Sequence, residues 1–361
     1  MQPSCRPSCS MAGGGHGLLQ LLPLPRPSIF FSRRPHCYSP SRSTCSPRRR
    51  HPIIRSTTAD SSSSSSTATG TRTRTSISSS VKLTYLEFNG WIWELQSGFR
   101  ILVDPILVGN LDFGIPWLFD AAKKTLTPAD GDSSGAILRD PKVDLLLITQ
   151  SLDDHCHLRT LKELSAVAPG LPVVTTPNAQ PIVSKLPFQQ VTYLEPGQST
   201  TVDGGGVTVL ATAGPVLGPP WQRPENGYIV TASGPGNNSI YYEPHCVYDA
   251  AFLRDRGLRA DVLITPVVKQ LLPANFTLVS GQEDAVDLAR LLRPTYVVPM
   301  SNGEFDAKGL LTAVITTQGT PMAFKALLSE ALPQAQVMEP TPGVPLHLQF
   351  DNTSSSVLEA D

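Results

Sequence analysis

Two short apolar runs constrain the fold more than any other feature of the chain. Residues 143–149 are continuously apolar after Asp144, and residues 262–267 form a second run of the same kind. A strand that is apolar on both faces must be covered on both faces, whereas a half-buried strand alternates. Both runs are strand-sized and fall far short of the roughly 18 residues a membrane span needs. Further strands are predicted at 81–87, 91–95 and 100–103, with a hairpin signal at Asn89-Gly90. More follow at 173–175, 191–194, 207–211, 228–232, 239–243 and 296–299, with an edge strand at 346–350. Helical spacing appears at 157–167 through Leu158, Leu161 and Leu164, and again at 283–292 and 322–332. Short helices are expected near 118–124 and 179–185. Residues 213–226 are too dense in Pro and Gly for a regular element and predict a long ordered loop. Strand pairs come first and strands alternating with helices follow, which predicts an α/β (α+β) arrangement of sheets covered by helices.

The first 80 residues have a different character. They hold 11 Arg, no Lys and a single acid, Asp60, together with 20 Ser and 8 Thr. A Ser-rich, Arg-bearing, acid-poor leader is the composition of an organellar transit peptide, and prolines break the one apolar stretch that a secretory signal would need. The expectation is a disordered transit peptide and linker over 1–80, a folded body over 81–350 and a disordered tail over 351–361. The address is the chloroplast stroma, with the mitochondrion as the alternative. Residues 81–361 carry a net charge of −11. That argues against a nucleic-acid partner, because phosphate neutralisation needs a basic face. Four of the six cysteines lie in the leader, so Cys156 and Cys246 in the body supply neither a disulfide framework nor a zinc ribbon.

Chemistry concentrates after the first buried run, where Thr149-Gln150-Ser151-Leu152-Asp153-Asp154-His155-Cys156-His157 puts two carboxylates, two imidazoles and a thiol at a strand's carboxyl end. Two readings stay open for Asp153 and Asp154: capping the helix that begins near His157, or ligating a metal.

Thr149–His155 resembles the Thr-His-x-His-x-Asp-His segment of the metallo-β-lactamase fold, with both early His replaced. The segments Tyr85-Leu86-Glu87-Phe88-Asn89-Gly90-Trp91 and Arg100-Ile101-Leu102-Val103-Asp104-Pro105 resemble the opening hairpin of the branch that contains ascorbate-phosphate lactonase and N-acyl-phosphatidylethanolamine phospholipase. Residues 193–197, 240–245 and 298–301 resemble later motifs of that branch in the right order. The resemblance implies a four-layer αββα sandwich with the site at one rim of two facing sheets.

It also implies what has been lost. The family's first metal would need donors at Gln150, Leu152 and Ala213 or Gly214, which cannot supply the N, S or carboxylate ligands such an ion takes. The second site keeps Asp154 and His155, places His245 at the bridging position and Ser301 at the final His, and Phe88 stands where the branch often has His. Asp154, His155 and His245 then form a two-His, one-carboxylate set for one divalent ion, Zn, Fe or Mn, with Asp154 and His155 as the catalytic pair. Asp153, His157 and Glu243 are candidates to orient those ligands. Trp221, Arg223 and Lys269 are candidates to hold a small-molecule substrate, and Cys156 and Cys246 are candidates for thiol redox chemistry. The expected activity is hydrolysis of a small ester, lactone or phosphoester with at most one metal. The alternatives are a binding or regulatory module without metal or catalysis, and a thiol redox sensor.

Overall fold

The computed structural model describes residues 78–126, 133–217, 221–234, 238–300 and 303–351. The expected leader up to residue 77, the end of the expected tail, Ser301 and the Gly218-Pro219-Pro220 segment lie outside them.

An antiparallel meander opens the body, with β1 (Ser78–Tyr85), β2 (Trp91–Glu94) and β3 (Arg100–Val103). A short β4 (Asp120–Ala122) and α1 (Ser133–Arg139) lead into a parallel half. That half consists of β5 (Leu145–Ile148), α2 (Leu158–Val167), β6 (Val173–Thr175), α3 (Gln180–Val183) and β7 (Val191–Tyr193). The second half begins with β8 (Ser199–Val202), β9 (Val207–Ala213), β10 (Asn226–Ala232) and β11 (Ser239–Tyr242). It continues through α4 (Ala250–Asp255), β12 (Val262–Pro266), β13 (Lys269–Leu272), β14 (Phe276–Val279), α5 (Gln282–Leu292) and β15 (Tyr296–Met300). Last come β16 (Asp306–Lys308), β17 (Thr316–Gln318), α6 (Pro321–Ala331), β18 (Gln336–Val337) and β19 (Leu346–Asp351).

Two seven-stranded sheets result, ordered β19-β1-β2-β3-β5-β6-β7 and β18-β15-β12-β11-β10-β9-β8. The buried runs explain why they stack. In β5, Leu145 and Leu147 enter the core between the sheets, while Leu146 and Ile148 join Leu161 and Leu164 of α2 on the outer face. In β12, Val262 and Ile264 point inward and Leu263 packs with Leu288 and Leu292 of α5 and Phe324 of α6. Side chains alternate with period two, so a strand sandwiched on both sides buries every position. Helix, sheet, sheet and helix therefore make four layers, as the resemblance implied. A side chain such as Leu145 moving out of water contributes about 1.5–3 kcal/mol, and the polar residue inside β12, buried Thr265, donates its hydroxyl to the Pro266 carbonyl.

Two local expectations fail. The helix expected near 118–124 is instead β4, held antiparallel by β16, with Asp120 opposite Lys308. In the first hairpin the left-handed residues are Glu87 (φ 65°) and Phe88 (φ 54°), not Asn89-Gly90. The Glu87 carboxylate fixes that turn by accepting backbone N–H groups of Lys124, Thr125 and Leu126 at 2.8–3.1 Å. Asn89 is thereby turned toward the sheet rim. The long loop before β10 is anchored from within by Glu225, which is buried and accepts from Ser151 Oγ at 2.5 Å.

Candidate metal centre

Three parallel-strand ends meet at one rim. Asp104 follows β3, the segment Thr149–His155 follows β5, and Glu243 and His245 follow β11. Asp154, His155 and His245 converge there, each offering one ligand atom with all three atoms within 4.8 Å of one another. The two imidazole centroids are 5.3 Å apart. Both His are buried, and Asp154 is half-buried. One of its oxygens, Oδ1, is shielded from solvent and has no hydrogen-bond partner. A buried carboxylate oxygen without a partner is costly unless a cation or donor completes it, so the cluster fits one divalent ion.

Each ligand is held from behind. His155 Nδ1 lies 2.9 Å from Asp104 Oδ2, and its Nε2 lies 3.1 Å from Asp154 Oδ2. Asp104 is fully buried at φ 40° and takes Thr149 N at 2.8 Å and Thr149 Oγ1 at 2.5 Å. Asn89 Nδ2 donates to Asp154 O at 3.1 Å and sits 3.2 Å from His155 Nε2. On the other side, Gln150 Nε2 donates to His245 Nδ1 at 2.6 Å and to Glu243 Oε1 at 3.2 Å. Glu243 is pinned in turn by the backbone N–H groups of His245 and Val247.

The charges follow from this geometry. Burial alone would lower the His155 pKa, but the Asp154 and Asp104 carboxylates reverse that and raise it to about 10. Burial opposes ionisation of Asp154 too, yet the charge and hydrogen bond of His155 hold its carboxyl below the usual range. His245 is lowered to about 3 by burial and by the neighbouring His155 charge. Glu243 is raised to about 8 by burial.

The remaining expected residues separate cleanly. Of the two readings open for Asp153 and Asp154, each residue takes one: Asp153 Oδ1 accepts from Leu158 N at 3.1 Å at the start of α2, while Asp154 joins the cluster. His157 bonds Thr160 Oγ1 at 2.8 Å, and that hydroxyl also receives Leu107 N, so His157 ties α2 to a loop away from the cluster. Glu243 does touch a ligand residue, through the His245 N–H. Trp221 is 86% exposed, and Arg223 pairs with Glu195 at 3.2 Å on the surface. Lys269 lies on β13 opposite Gln318. None of these three lines the cavity beside the cluster, where Gln270 does. The two thiols lie apart from the cluster and from one another. Cys156 and Cys246 are buried in different apolar clusters, and burial raises Cys156 to about 12 and Cys246 further still.

Asp104, Asn89, Thr149 and Gln150 were not foreseen as parts of the site. Their sequence signals were Asp104-Pro105 closing a strand, the Asn89-Gly90 turn and the place of Thr149 and Gln150 at the head of the Asp-His segment. Leu152 is half out in solvent, and it, Gln150, Ala213 and Gly214 carry no imidazole, thiolate or carboxylate.

Residues 82–301 match the model of the Beta-lactamase superfamily domain. The chain belongs to that family. It is 26% identical over 241 residues, 66% of this chain and 86% of the relative, to a metal-dependent hydrolase of Desulfitobacterium hafniense. Among solved structures it is similar to an isothiocyanate hydrolase from Delia radicum gut bacteria, at 15% identity and a TM-score of 0.52 over 73% of this chain and 98% of the other. It is also similar to CmlA, a diiron beta-hydroxylase from Streptomyces venezuelae, at 16% identity and a TM-score of 0.50 over 75% of this chain. The chain spans 54% of CmlA. These structural likenesses carry the metallo-β-lactamase fold, and the sheets and rim described above are that fold. No helix among the described residues is long and apolar enough to cross a membrane.

Proposed function

We propose that the protein is a hydrolase that works with a single divalent ion held by Asp154, His155 and His245, and that it acts on a small ester or lactone. The observation that carries this reading is the convergence of those three side chains in a buried rim with Asp154 Oδ1 left for a further partner. An ion bound there supplies Lewis acidity to a carbonyl or phosphoryl oxygen. The protein's own part is positional. Asp104 keeps a proton on His155 Nδ1 and so directs Nε2 to the cluster, and Thr149 fixes Asp104. Gln150 holds the His245 ring and Asn89 holds the Asp154 backbone. The branch of ascorbate-phosphate lactonase and N-acyl-phosphatidylethanolamine phospholipase remains our assignment within the family, supported by the opening hairpin and the motif order.

The missing donors at Gln150, Leu152 and Ala213 or Gly214 favour one competing reading, a binding module that has kept the scaffold without turnover. We assign the leader to a transit peptide for the chloroplast on composition, with the working domain beginning at Ser78 and running to Asp351 rather than over the expected 81–350, because those two residues pair in the first sheet.

Elemental analysis after metal loading and dialysis tests the reading. One equivalent or less is expected in the wild type and none in His245→Ala, and two tightly held equivalents would refute the ligand assignment. One equivalent with no turnover across a panel of esters and lactones would favour the binding module.

A further inference from the structure

A cavity of about 180 Å³ opens beside the cluster, with Asp154, His245 and Asn89 at one end. Its walls are aromatic and aliphatic. Phe88 stacks on Phe305 at 5.5 Å, Phe119 meets the same ring edge-on at 5.8 Å, and Leu111, Leu278 and Ile315 close the remainder. These side chains come from the first hairpin turn, the loop around β4, β14 and the segment around β16, so the whole rim contributes. Apart from Asp154 and His245, its polar groups are two carboxamides, Asn89 and Gln270, and Asn89 Oδ1 is buried without a partner. No Lys or Arg lines it among the described residues.

Where no metal ion is bound, a phosphate or other strong anion is held by guanidinium, ammonium or a cluster of backbone N–H groups. This cavity offers it a carboxylate and a wall of hydrocarbon. An apolar cavity of roughly 150 Å³ takes a benzene-sized guest, so this one has room for a phenyl ring or a short acyl chain. The carboxamides and the cluster lie where a carbonyl attached to that guest would reach.

We propose that the cavity seats the acyl or aryl portion of an uncharged carbonyl substrate, whose carbonyl lies at the cluster end beside Asn89 and Gln270, and that in the metal-free protein it disfavours a phosphate headgroup. The proposal deepens the hydrolase reading and rests on it for the identity of the reacting end. Selection is by burial of hydrocarbon, so chain length governs affinity and charge opposes it.

The test is binding to the full chain, measured by isothermal titration in metal-free protein with acetamide, hexanamide, benzamide and hexyl phosphate as probes. Hexanamide and benzamide are expected to bind at least tenfold more tightly than acetamide, and hexyl phosphate more weakly than hexanamide. Leu111→Trp and Ile315→Trp, two independent cavity-filling variants checked by thermal melting, should each reduce hexanamide binding at least tenfold. Equal binding of acetamide and hexanamide, tighter binding of hexyl phosphate, or insensitivity to both folded variants would overturn the proposal. Metal content is read separately. Hexanamide binding that vanishes on cavity filling, in a protein that takes up no metal, would leave the cavity standing and remove the hydrolase reading; metal uptake without hexanamide binding would do the reverse.

Discussion

Asp104 Oδ2 and His155 Nδ1 lie 2.9 Å apart, both side chains fully buried, across the parallel pair β3 and β5. The contact joins a carboxylate that no ligand motif includes to an imidazole at the heart of the site. Asp104→Asn keeps the shape and tolerates the φ of 40°, but it removes the charge that keeps His155 Nδ1 protonated. Metal affinity should fall roughly 10- to 100-fold, with far-UV circular dichroism unchanged. Unaltered affinity in competition with a chromophoric chelator would rule out the role given to Asp104.

Metal uptake should release a proton. In the metal-free protein the two flanking carboxylates raise His155 to about 10, so its ring is charged at neutral pH, whereas His245, lowered to about 3, is already neutral. An incoming ion must displace the His155 Nε2 proton, whereas neutral His245 keeps its single ring proton, which shifts to Nδ1 as Gln150 turns its Oε1 toward it, so that ring releases none. Affinity should therefore rise by about tenfold per pH unit up to the His155 pKa and then level off. Calorimetry in buffers of different ionisation enthalpy should read about one proton released per ion at pH 7. A value near zero would show that His155 is not the displaced group.

Gly227 on β10 should prove irreplaceable. A Cβ there would sit 2.8 Å from Thr212 Oγ1 and 2.9 Å from Glu243 Cβ and Cγ. Glu243 cannot move freely, because Gln150, His245 N and Val247 N all hold its carboxylate. Gly227→Ala should destabilise the fold by about 1–3 kcal/mol and weaken metal binding through His245. Chemical denaturation gives the first quantity and chelator competition the second; wild-type values for both would mean that Glu243 does not position the ligand.

The two body cysteines should resist alkylation. In a chain beginning at residue 76, where Cys156 and Cys246 are the remaining thiols, iodoacetamide at pH 8 should label neither in native protein and both in guanidinium. With Cys156 raised to about 12 by burial, the thiolate fraction at that pH is negligible. Rapid native labelling of either would reopen a redox function.

What the sequence made legible were the places where one residue's neighbours in the chain decide its fate. The strands apolar on both faces, such as β5 and β12, could be recognised because their covering layers leave the same mark at every position. Asp154, His155 and His245 were legible because a local motif survives around each. Asp104 was not, since its partner depends on β3 and β5 lying side by side, with Val103 opposite Leu147. The strand at Asp120–Ala122 is helical in the sequence reading because its strand partner among the described residues, Asp306–Lys308, lies far along the chain. The cavity was invisible for the same reason. Phe88, Leu111, Phe119, Leu278 and Phe305 share no period, and only the closed rim assembles them.

The register that sets Ser78 against Asp351 makes the first strand of the body the inner neighbour of its last. During translation β1 leaves the ribosome with one edge able to join β2 at once, while the partner for its other edge has not been made. Until the final residues emerge, that edge is an open row of donors and acceptors, the kind of surface on which nascent chains stick to one another. A chain truncated anywhere ahead of Leu346 would keep β1, eight residues long, as the edge strand of this sheet in place of the six-residue β19.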